Sequence, residues 1–293
     1  MKQLRLMLGL GLSLALTGAR ASLGQTGVNP HPNNKGIAPF RITPNLYYVG
    51  FSDVTSYLFT SPAGDILLDG GYPENAPQIL ANIRTLGFDP KDVKLLINSH
   101  AHFDHAGGLA ELKKATGAKL FASAADARQL QDGGRDDYGL YDTGLFPAVT
   151  VDSVIPNGGI VRLGGWALKA VVTPPHTRGC TNWVTTAESG GKPVDAVFMC
   201  GASVPGYRLV GNKGYPTLIA DYEKLFPALR ALPCQFFFAA HAGFFDVQAK
   251  AEQLRAHPNG PNPFIDPAGC RRWIDANERA FKAQVAKESA AKP

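Results

Sequence analysis

Three histidines and one aspartate lie within six residues of this chain, in the segment His100-Ala101-His102-Phe103-Asp104-His105. Imidazole and carboxylate groups are typical ligands of zinc, which in catalytic sites keeps one position open for water. Zinc lowers the pKa of that water to about 7, so hydroxide becomes available at neutral pH. The spacing therefore predicts a metal site that performs hydrolysis.

Two further histidines, His176 and His241, each follow an apolar run that predicts a strand. Loops at the ends of strands are where a rigid scaffold commonly presents functional side chains. Together with Asp104, five histidines would supply six ligands, three for each of two zinc ions. The remaining histidines, His31 and His257, lie in polar segments rich in proline and asparagine, and we expect them to be solvated.

The elements around these histidines alternate between predicted strands and predicted helices. The apolar run Val93–Asn98 predicts a buried strand directly before His100, and Pro73 opens a predicted helix. The other predicted strands are Leu46–Val49, Thr55–Thr60, Ile66–Asp69, Val149–Val154, Trp166–Val172, Asn182–Thr186, Ala196–Cys200 and Gln235–Ala240. Predicted helices close the chain at Val247–Ala256 and Ala268–Lys287. This order predicts an α/β fold with two sheets between helices.

The N-terminal segment has the pattern of a secretory signal. It has a basic start, an apolar run at Leu6–Leu16 and a small-x-small sequence that ends at Ala21. We therefore predict a signal peptide over residues 1–21, cleaved near Ala21, and a single domain over residues 22–293. The predicted location is the periplasm.

Composition restricts the class of partner. The chain is 45% hydrophobic and 18% charged, which is ordinary for a globular protein. Part of its formal net charge of +5 comes from basic residues in the predicted signal peptide, and no cluster of Lys and Arg elsewhere favours nucleic acid. No segment is long enough to span a bilayer. We expect a monomer that acts on a small molecule.

The chain has 4 cysteines, an even number. In an oxidising compartment such cysteines are expected to form disulfides, although free buried thiols are the alternative. Four cysteines allow three pairings, and their spacing does not choose among them.

These features resemble the metallo-β-lactamase superfamily and, within it, the subclass B3 metallo-β-lactamases. The His-x-His-x-Asp-His motif carries the superfamily resemblance, and the flanking blocks carry the subclass. Those blocks are Ala38–Ile42, Asn45–Gly50, Asp65–Gly71, Ser99–Gly108, Pro205–Tyr207, Gly211–Asn212 and the loop around His241. The resemblance implies a four-layer αβ/βα sandwich with the site at the edge between the two sheets.

The resemblance also implies two zinc ions per chain, each with three protein ligands. The ligands implied for the first ion are His100, His102 and His176. The ligands implied for the second ion are Asp104, His105 and His241. Asp104 and His241 would also be catalytic residues, and Ser203 and Tyr207 would contact the substrate.

The activity implied is hydrolysis of the β-lactam amide of penicillins, cephalosporins and carbapenems by a hydroxide held between the two ions, which would confer antibiotic resistance. Many hydrolytic relatives, such as glyoxalase II, carry an aspartate that bridges the metals near the position of Gly201. This chain has none there, which favours the lactamase. The alternatives are an exported hydrolase of a lactone or thioester and a non-catalytic zinc-binding protein.

Two disulfides are also implied by the resemblance, Cys180–Cys200 and Cys234–Cys270. A competing interpretation makes Cys200 a thiolate ligand of the metal, as in other lactamase subclasses, because thiolate binds zinc well. That interpretation would leave Cys180 unpaired.

Overall fold

The computed structural model describes residues 31–135 and 137–291. The predicted signal peptide over residues 1–21 lies outside the described residues. From Asn33 onward, the chain forms one compact unit. In the described part of the chain, no helix combines the length and the apolar character needed to cross a bilayer.

The first sheet begins as an antiparallel meander and continues as parallel strands. In spatial order its strands are β1 (Phe40–Thr43), β2 (Leu46–Tyr48), β3 (Tyr57–Phe59), β4 (Asp65–Leu68), β5 (Val93–Ile97), β6 (Lys119–Ser123) and β7 (Ser153–Ile155). Strands β1 to β4 pair antiparallel, and β4 to β7 pair parallel. Parallel neighbours require crossover connections. The carboxyl ends of β4, β5 and β6 therefore lie at the same edge of the sheet.

The second sheet is mostly antiparallel. Its strands are β8 (Ile160–Leu163), β9 (Trp166–Val172), β10 (Thr181–Ser189), β11 (Lys192–Met199) and β12 (Phe236–Ala239), in the spatial order β12-β11-β10-β9-β8. Only β11 and β12 pair parallel. Because β9 and β11 are both antiparallel to β10, the carboxyl ends of β9, β11 and β12 share one edge.

Helices follow most of the strands in the parallel parts of both sheets. They are α1 (Ala76–Thr85), α2 (Phe103–Ala106), α3 (Leu109–Thr116), α4 (Ala124–Gln131), α5 (Leu218–Arg230), α6 (Val247–Ala256) and α7 (Pro267–Ala290). Short 3₁₀ segments lie at Pro73–Asn75, Pro90–Asp92, Tyr141–Gly144 and Ala242–Phe244. The helix that Pro73 was predicted to open therefore starts with a 3₁₀ turn.

An aromatic core joins the two sheets. Tyr57 of the first sheet packs edge-on against Phe198 and Phe238 of the second, with ring centroids 4.9 and 5.5 Å away. The same core extends to Phe226 of α5 and Phe281 of α7. Large aromatic side chains bury much apolar surface and prefer such tilted contacts, so they hold the two sheets face to face.

A second core lies on the other face of the first sheet. Side chains alternate between faces along a strand, so Leu58 and Leu96 point away from the aromatic core. They belong to a cluster with Ile83 of α1 and Leu112 of α3. The resulting order of layers is helix, sheet, sheet, helix, which confirms the predicted αβ/βα sandwich.

One predicted strand is largely absent. Residues Val149–Val154 were expected to be extended and paired, but β7 begins only at Ser153. Before it, the carboxylate of Asp152 accepts the backbone N–H of Leu120 at 2.7 Å and pairs with Lys113 at 2.6 Å. The Asp152 side chain thus accepts the backbone N–H of Leu120, which would otherwise bond to a backbone carbonyl of a neighbouring strand.

Candidate metal centre

The three loops that carry the predicted ligands meet where strands β5, β9 and β12 end. These loops carry His100, His102, Asp104 and His105 after β5, His176 after β9 and His241 after β12. The fold therefore brings together all six side chains that the sequence singled out. They form two adjoining groups.

The first group, the three-histidine cluster, consists of His100, His102 and His176. Its ligand atoms all lie within 4.8 Å of one another, and all three side chains are buried. His100 Nδ1 lies 3.0 Å from Ser99 Oγ, and His176 Nδ1 lies 2.9 Å from the backbone carbonyl of Ser203. These contacts occupy one nitrogen of each ring, so Nε2 is the nitrogen available to a metal.

Two groups outside the cluster contact the Nε2 atom of His102. The Tyr207 hydroxyl lies 2.7 Å from His102 Nε2, and Asp137 Oδ2 lies 3.3 Å from the same nitrogen. Nδ1 is therefore the nitrogen of His102 available to a metal. Burial opposes ionisation of Asp137, but its contact with His102 outweighs this and lowers the pKa of the carboxyl to about 2.

The second group, the mixed cluster, consists of Asp104, His105 and His241. Asp104 Oδ2 lies 3.2 Å from His105 Nε2 and 3.4 Å from His241 Nε2. Burial opposes ionisation of Asp104, but the two imidazoles outweigh it and hold the pKa of the carboxyl well below its usual range. Asp53 Oδ1 lies 3.0 Å from His241 Nδ1. Burial also disfavours charge on His241, yet Asp104 and Asp53 raise its pKa to about 9.

The chemistry of these side chains fits a metal ion. Among the described residues, His100 Nε2 is buried and has no hydrogen-bond partner, which is costly unless a ligand satisfies it. Burial and the neighbouring imidazoles lower the pKa of His100 far below its usual value and that of His176 to about 3. Neutral imidazole is the form that binds metals. Neutral imidazoles beside an ionised Asp104 are a donor set of the zinc type.

Sequence reasoning did not predict the carboxylates behind the ligands. Besides Asp53 and Asp137, Asp69 accepts both the backbone N–H and the hydroxyl of Ser99, at 2.7 and 2.6 Å. Burial raises the pKa of Asp69 to about 6. Of these three, only Asp69 had a local indication, because it ends the predicted strand Ile66–Asp69. The others lie in loops without a periodic pattern.

Tyr207 and Ser203, predicted to contact substrate, lie at different depths. Tyr207 is 1% exposed, and its ring packs against Tyr138 with centroids 4.8 Å apart. A substrate contact by Tyr207 does not fit this burial, and its hydroxyl instead positions His102. Ser203 is half-buried beside His176. Its role in substrate binding stays a prediction.

The structure contains the two disulfides that the resemblance implied. Cys180 is bonded to Cys200 and Cys234 to Cys270, with Cα atoms 5.8 and 6.0 Å apart. Because Cys200 is bonded to another sulfur, it is not a thiolate ligand here. The first bridge joins the loop after His176 to the end of β11.

Comparisons with known proteins identify the family of the chain. A family model described as the metallo-beta-lactamase superfamily matches residues 49–185. The native FEZ-1 metallo-β-lactamase from Legionella gormanii is 39% identical with a TM-score of 0.84, covering 88% of this chain and 99% of that one. BJP-1, a subclass B3 metallo-β-lactamase of Bradyrhizobium japonicum, is 35% identical with a TM-score of 0.83, covering 88% and 97%.

Curated relatives match less of their length. A hydroxyacylglutathione hydrolase of Rhodospirillum rubrum is 28% identical over 170 residues, which are 58% of this chain and 55% of that protein. The chain spans less than two thirds of the length of this relative.

The chain therefore belongs to the metallo-β-lactamase superfamily, and its likeness to metallo-β-lactamases is consistent with a hydrolase. Its structural neighbours, matched over nearly their whole length, are subclass B3 metallo-β-lactamases, as the sequence motifs had predicted.

Proposed function

We propose that this protein hydrolyses the amide bond of the β-lactam ring in penicillins, cephalosporins and carbapenems, with two zinc ions as cofactors. One observation carries the proposal. Three buried histidines adjoin a second set in which Asp104, His105 and His241 contact one another, in a chain that matches subclass B3 enzymes over 88% of its length. Two-metal sites are typical of enzymes that activate water against a carbonyl or phosphoryl group.

Each cluster would hold one ion. The ligands of the first would be His100, His102 and His176. The ligands of the second would be Asp104, His105 and His241. Bound zinc supplies hydroxide at neutral pH and polarises a carbonyl oxygen.

Asp104 and His241 would contribute directly to catalysis. Asp104 Oδ2 faces both His105 and His241, so Oδ1 is the atom available to accept a hydrogen bond from the attacking water. Its low pKa keeps it ionised for this role. His241 is oriented by Asp53, which leaves His241 Nε2 directed at the site.

Hydrolysis of a thioester is a second candidate, supported by the likeness to hydroxyacylglutathione hydrolases. The end of β11 argues against it, because Cys200 and Gly201 occupy the place where such relatives carry a bridging aspartate. Asp195, on the same strand, is exposed and lies near its middle, four residues before Met199. A purely zinc-binding protein is the third candidate.

Substrate comparison tests the proposal. The purified protein should hydrolyse a carbapenem faster than an acyl lactone or a glutathione thioester. A chelator should abolish the activity and added zinc should restore it. Asp104→Ala should lower the zinc content below two per chain and reduce turnover by orders of magnitude, whereas His257→Ala, at an exposed histidine, should change neither.

Faster hydrolysis of the thioester would replace the proposal with the second candidate. Zinc binding without hydrolysis of any of the three substrates would favour the third. Full turnover by Asp104→Ala would remove that carboxylate from the mechanism.

We also propose that the protein acts in the periplasm as a monomer. Two disulfides support an oxidising compartment. Cell fractionation and light scattering of the purified protein test these two points.

A further inference from the structure

The three-histidine cluster draws its ligands from two loops that are far apart in the chain. His100 and His102 come from the loop after β5, and His176 comes from the loop after β9. A metal site needs its ligand atoms held within a few tenths of an ångström of their bound positions. The contact between these two loops therefore decides how well the cluster is formed before metal arrives.

Asp126 lies at that contact, in the first turn of α4. Its Oδ2 accepts the backbone N–H of Ala101 at 3.0 Å and the hydroxyl of Thr177 at 2.9 Å. Its Oδ1 accepts the backbone N–H of Gly179 at 2.8 Å. One carboxylate thus bonds to the residue between His100 and His102 and to two residues just after His176.

Asp126 is a buried carboxylate whose environment is unusual for a charged group. The side chain is 2% exposed, and among the described residues no Lys or Arg pairs with it. A buried carboxylate without a cation is costly unless hydrogen bonds compensate for lost water. The loops also approach α4 closely, since a Cβ on Gly179 would lie 2.6 Å from the backbone nitrogen of Asp126. Gly179 is needed here because no side chain fits.

We propose that Asp126 is a positioning residue that holds the His100–His102 loop and the His176 loop at the separation that metal binding in the three-histidine cluster requires. This inference rests on the metal site of the proposed function and is independent of the substrate. Among the described residues, the hydrogen bonds of Asp126 go to Ala101, Thr177 and Gly179 and not to a ligand, so it acts on the cluster through these three residues. Loss of an outer partner of a metal site typically weakens metal binding about 10–100-fold.

Two variants separate positioning from folding. Asp126→Asn keeps the size of the side chain but replaces one acceptor oxygen with a donor, so it opposes at least one of the three donors. Thr177→Val removes only the hydroxyl bond and keeps the shape, so it should act in the same direction with a smaller effect. The matched control is Asp65→Asn, because Asp65 is also buried (3% exposed) but lies at the start of β4, opposite the end that leads to Asp69.

The experiment measures metal affinity and not turnover. Metal-free wild type and variants are titrated with zinc in competition with a chromophoric chelator, and the absorption spectrum with Co²⁺ reports the ligand geometry. Circular dichroism of the metal-free proteins reports folding. We expect Asp126→Asn to weaken one of two binding events by about 10–100-fold and to change the Co²⁺ bands, with Asp65→Asn unchanged in both.

Wild-type affinity and an unchanged Co²⁺ spectrum in Asp126→Asn would overturn the inference while leaving the proposed function intact. An equal loss in Asp65→Asn would overturn it as well, because the effect would then be one of general stability. If Asp126→Asn fails to fold, Thr177→Val decides, and wild-type affinity in that variant contradicts the inference. A wild type that binds no metal would overturn both this inference and the proposed function.

Discussion

Removing the Asp53 carboxylate should change metal binding at the mixed cluster in a pH-dependent way. Asp53 Oδ1 lies 3.0 Å from His241 Nδ1, while His241 Nε2 faces Asp104 and His105. Carboxylates that hold the outer nitrogen of a metal-binding histidine fix its orientation and increase its basicity. Asp53→Ala removes that partner without touching a ligand atom.

The expected loss of metal affinity can be estimated from the hydrogen bond between Asp53 and His241. A hydrogen bond to a charged group contributes about 1.5–3 kcal/mol. The side chains of Asp53 and His241 are 38% and 27% exposed, so solvent screening reduces this to about 1–2 kcal/mol. That corresponds to about 5–30-fold in the affinity of His241 for a metal ion.

A proton competes with the metal for the same nitrogen. The pKa of His241 is raised to about 9 in the metal-free protein, so at pH 7 the imidazole is charged and must release its proton before metal binds. Asp53 stabilises the protonated ring as well as the metal-bound ring. Loss of Asp53 should therefore lower the affinity of His241 for a proton and its affinity for a metal ion. At pH 7 the weaker competition from the proton should largely cancel the weaker binding of the metal.

Most of the deficit should emerge above pH 9, where the His241 imidazole is mainly neutral and few protons compete. Affinity for the second zinc equivalent can be measured by chelator competition at pH 7 and pH 9.5, and the pKa of His241 by NMR titration of the metal-free protein. Asp246→Asn is the control, since Asp246 is exposed, lies five residues along from His241, and has a positive φ that asparagine tolerates. A deficit larger at pH 7 than at pH 9.5, or an unchanged pKa of His241 in Asp53→Ala, would refute the reasoning.

Two further predictions concern stability. Replacing Cys234 and Cys270 with serine opens a loop of sequence separation 36 and should lower the free energy of unfolding by about 3–4 kcal/mol. The zinc content should not change, because Cys234 lies at the end of β12 opposite His241. Loss of zinc would contradict this expectation. Burial raises the pKa of Asp65 to about 6, so the folded state holds an extra proton between pH 4 and 6 and loses stability as pH rises. Asp65→Asn should therefore gain stability relative to wild type by up to about 3 kcal/mol between pH 4 and pH 7 in urea titrations, and a constant difference would contradict the raised pKa.

The fold was largely readable from local patterns. Strand β5 was predicted as Val93–Asn98 and is Val93–Ile97, and the last helix was predicted as Ala268–Lys287 and is Pro267–Ala290. These elements have strong apolar periodicity, so the burial that stabilises them is visible in short windows. Only Ser153 and Val154 of the predicted strand Val149–Val154 are in a strand, because the Asp152 carboxylate before them bonds to Leu120, a residue outside that window.

The sequence by itself indicated the six side chains of the candidate metal centre, since three of the histidines are neighbours and chemistry restricts what such a group can do. It did not determine which side chains hold the ligands in place. Asp53 and His241 are 188 residues apart, and Asp126 joins two loops that no periodic pattern relates. Hydrogen bonds depend on distance and direction within a few tenths of an ångström. Only the packing of the two sheets decides that geometry. The same packing buries Tyr207, whose hydroxyl contacts His102 Nε2.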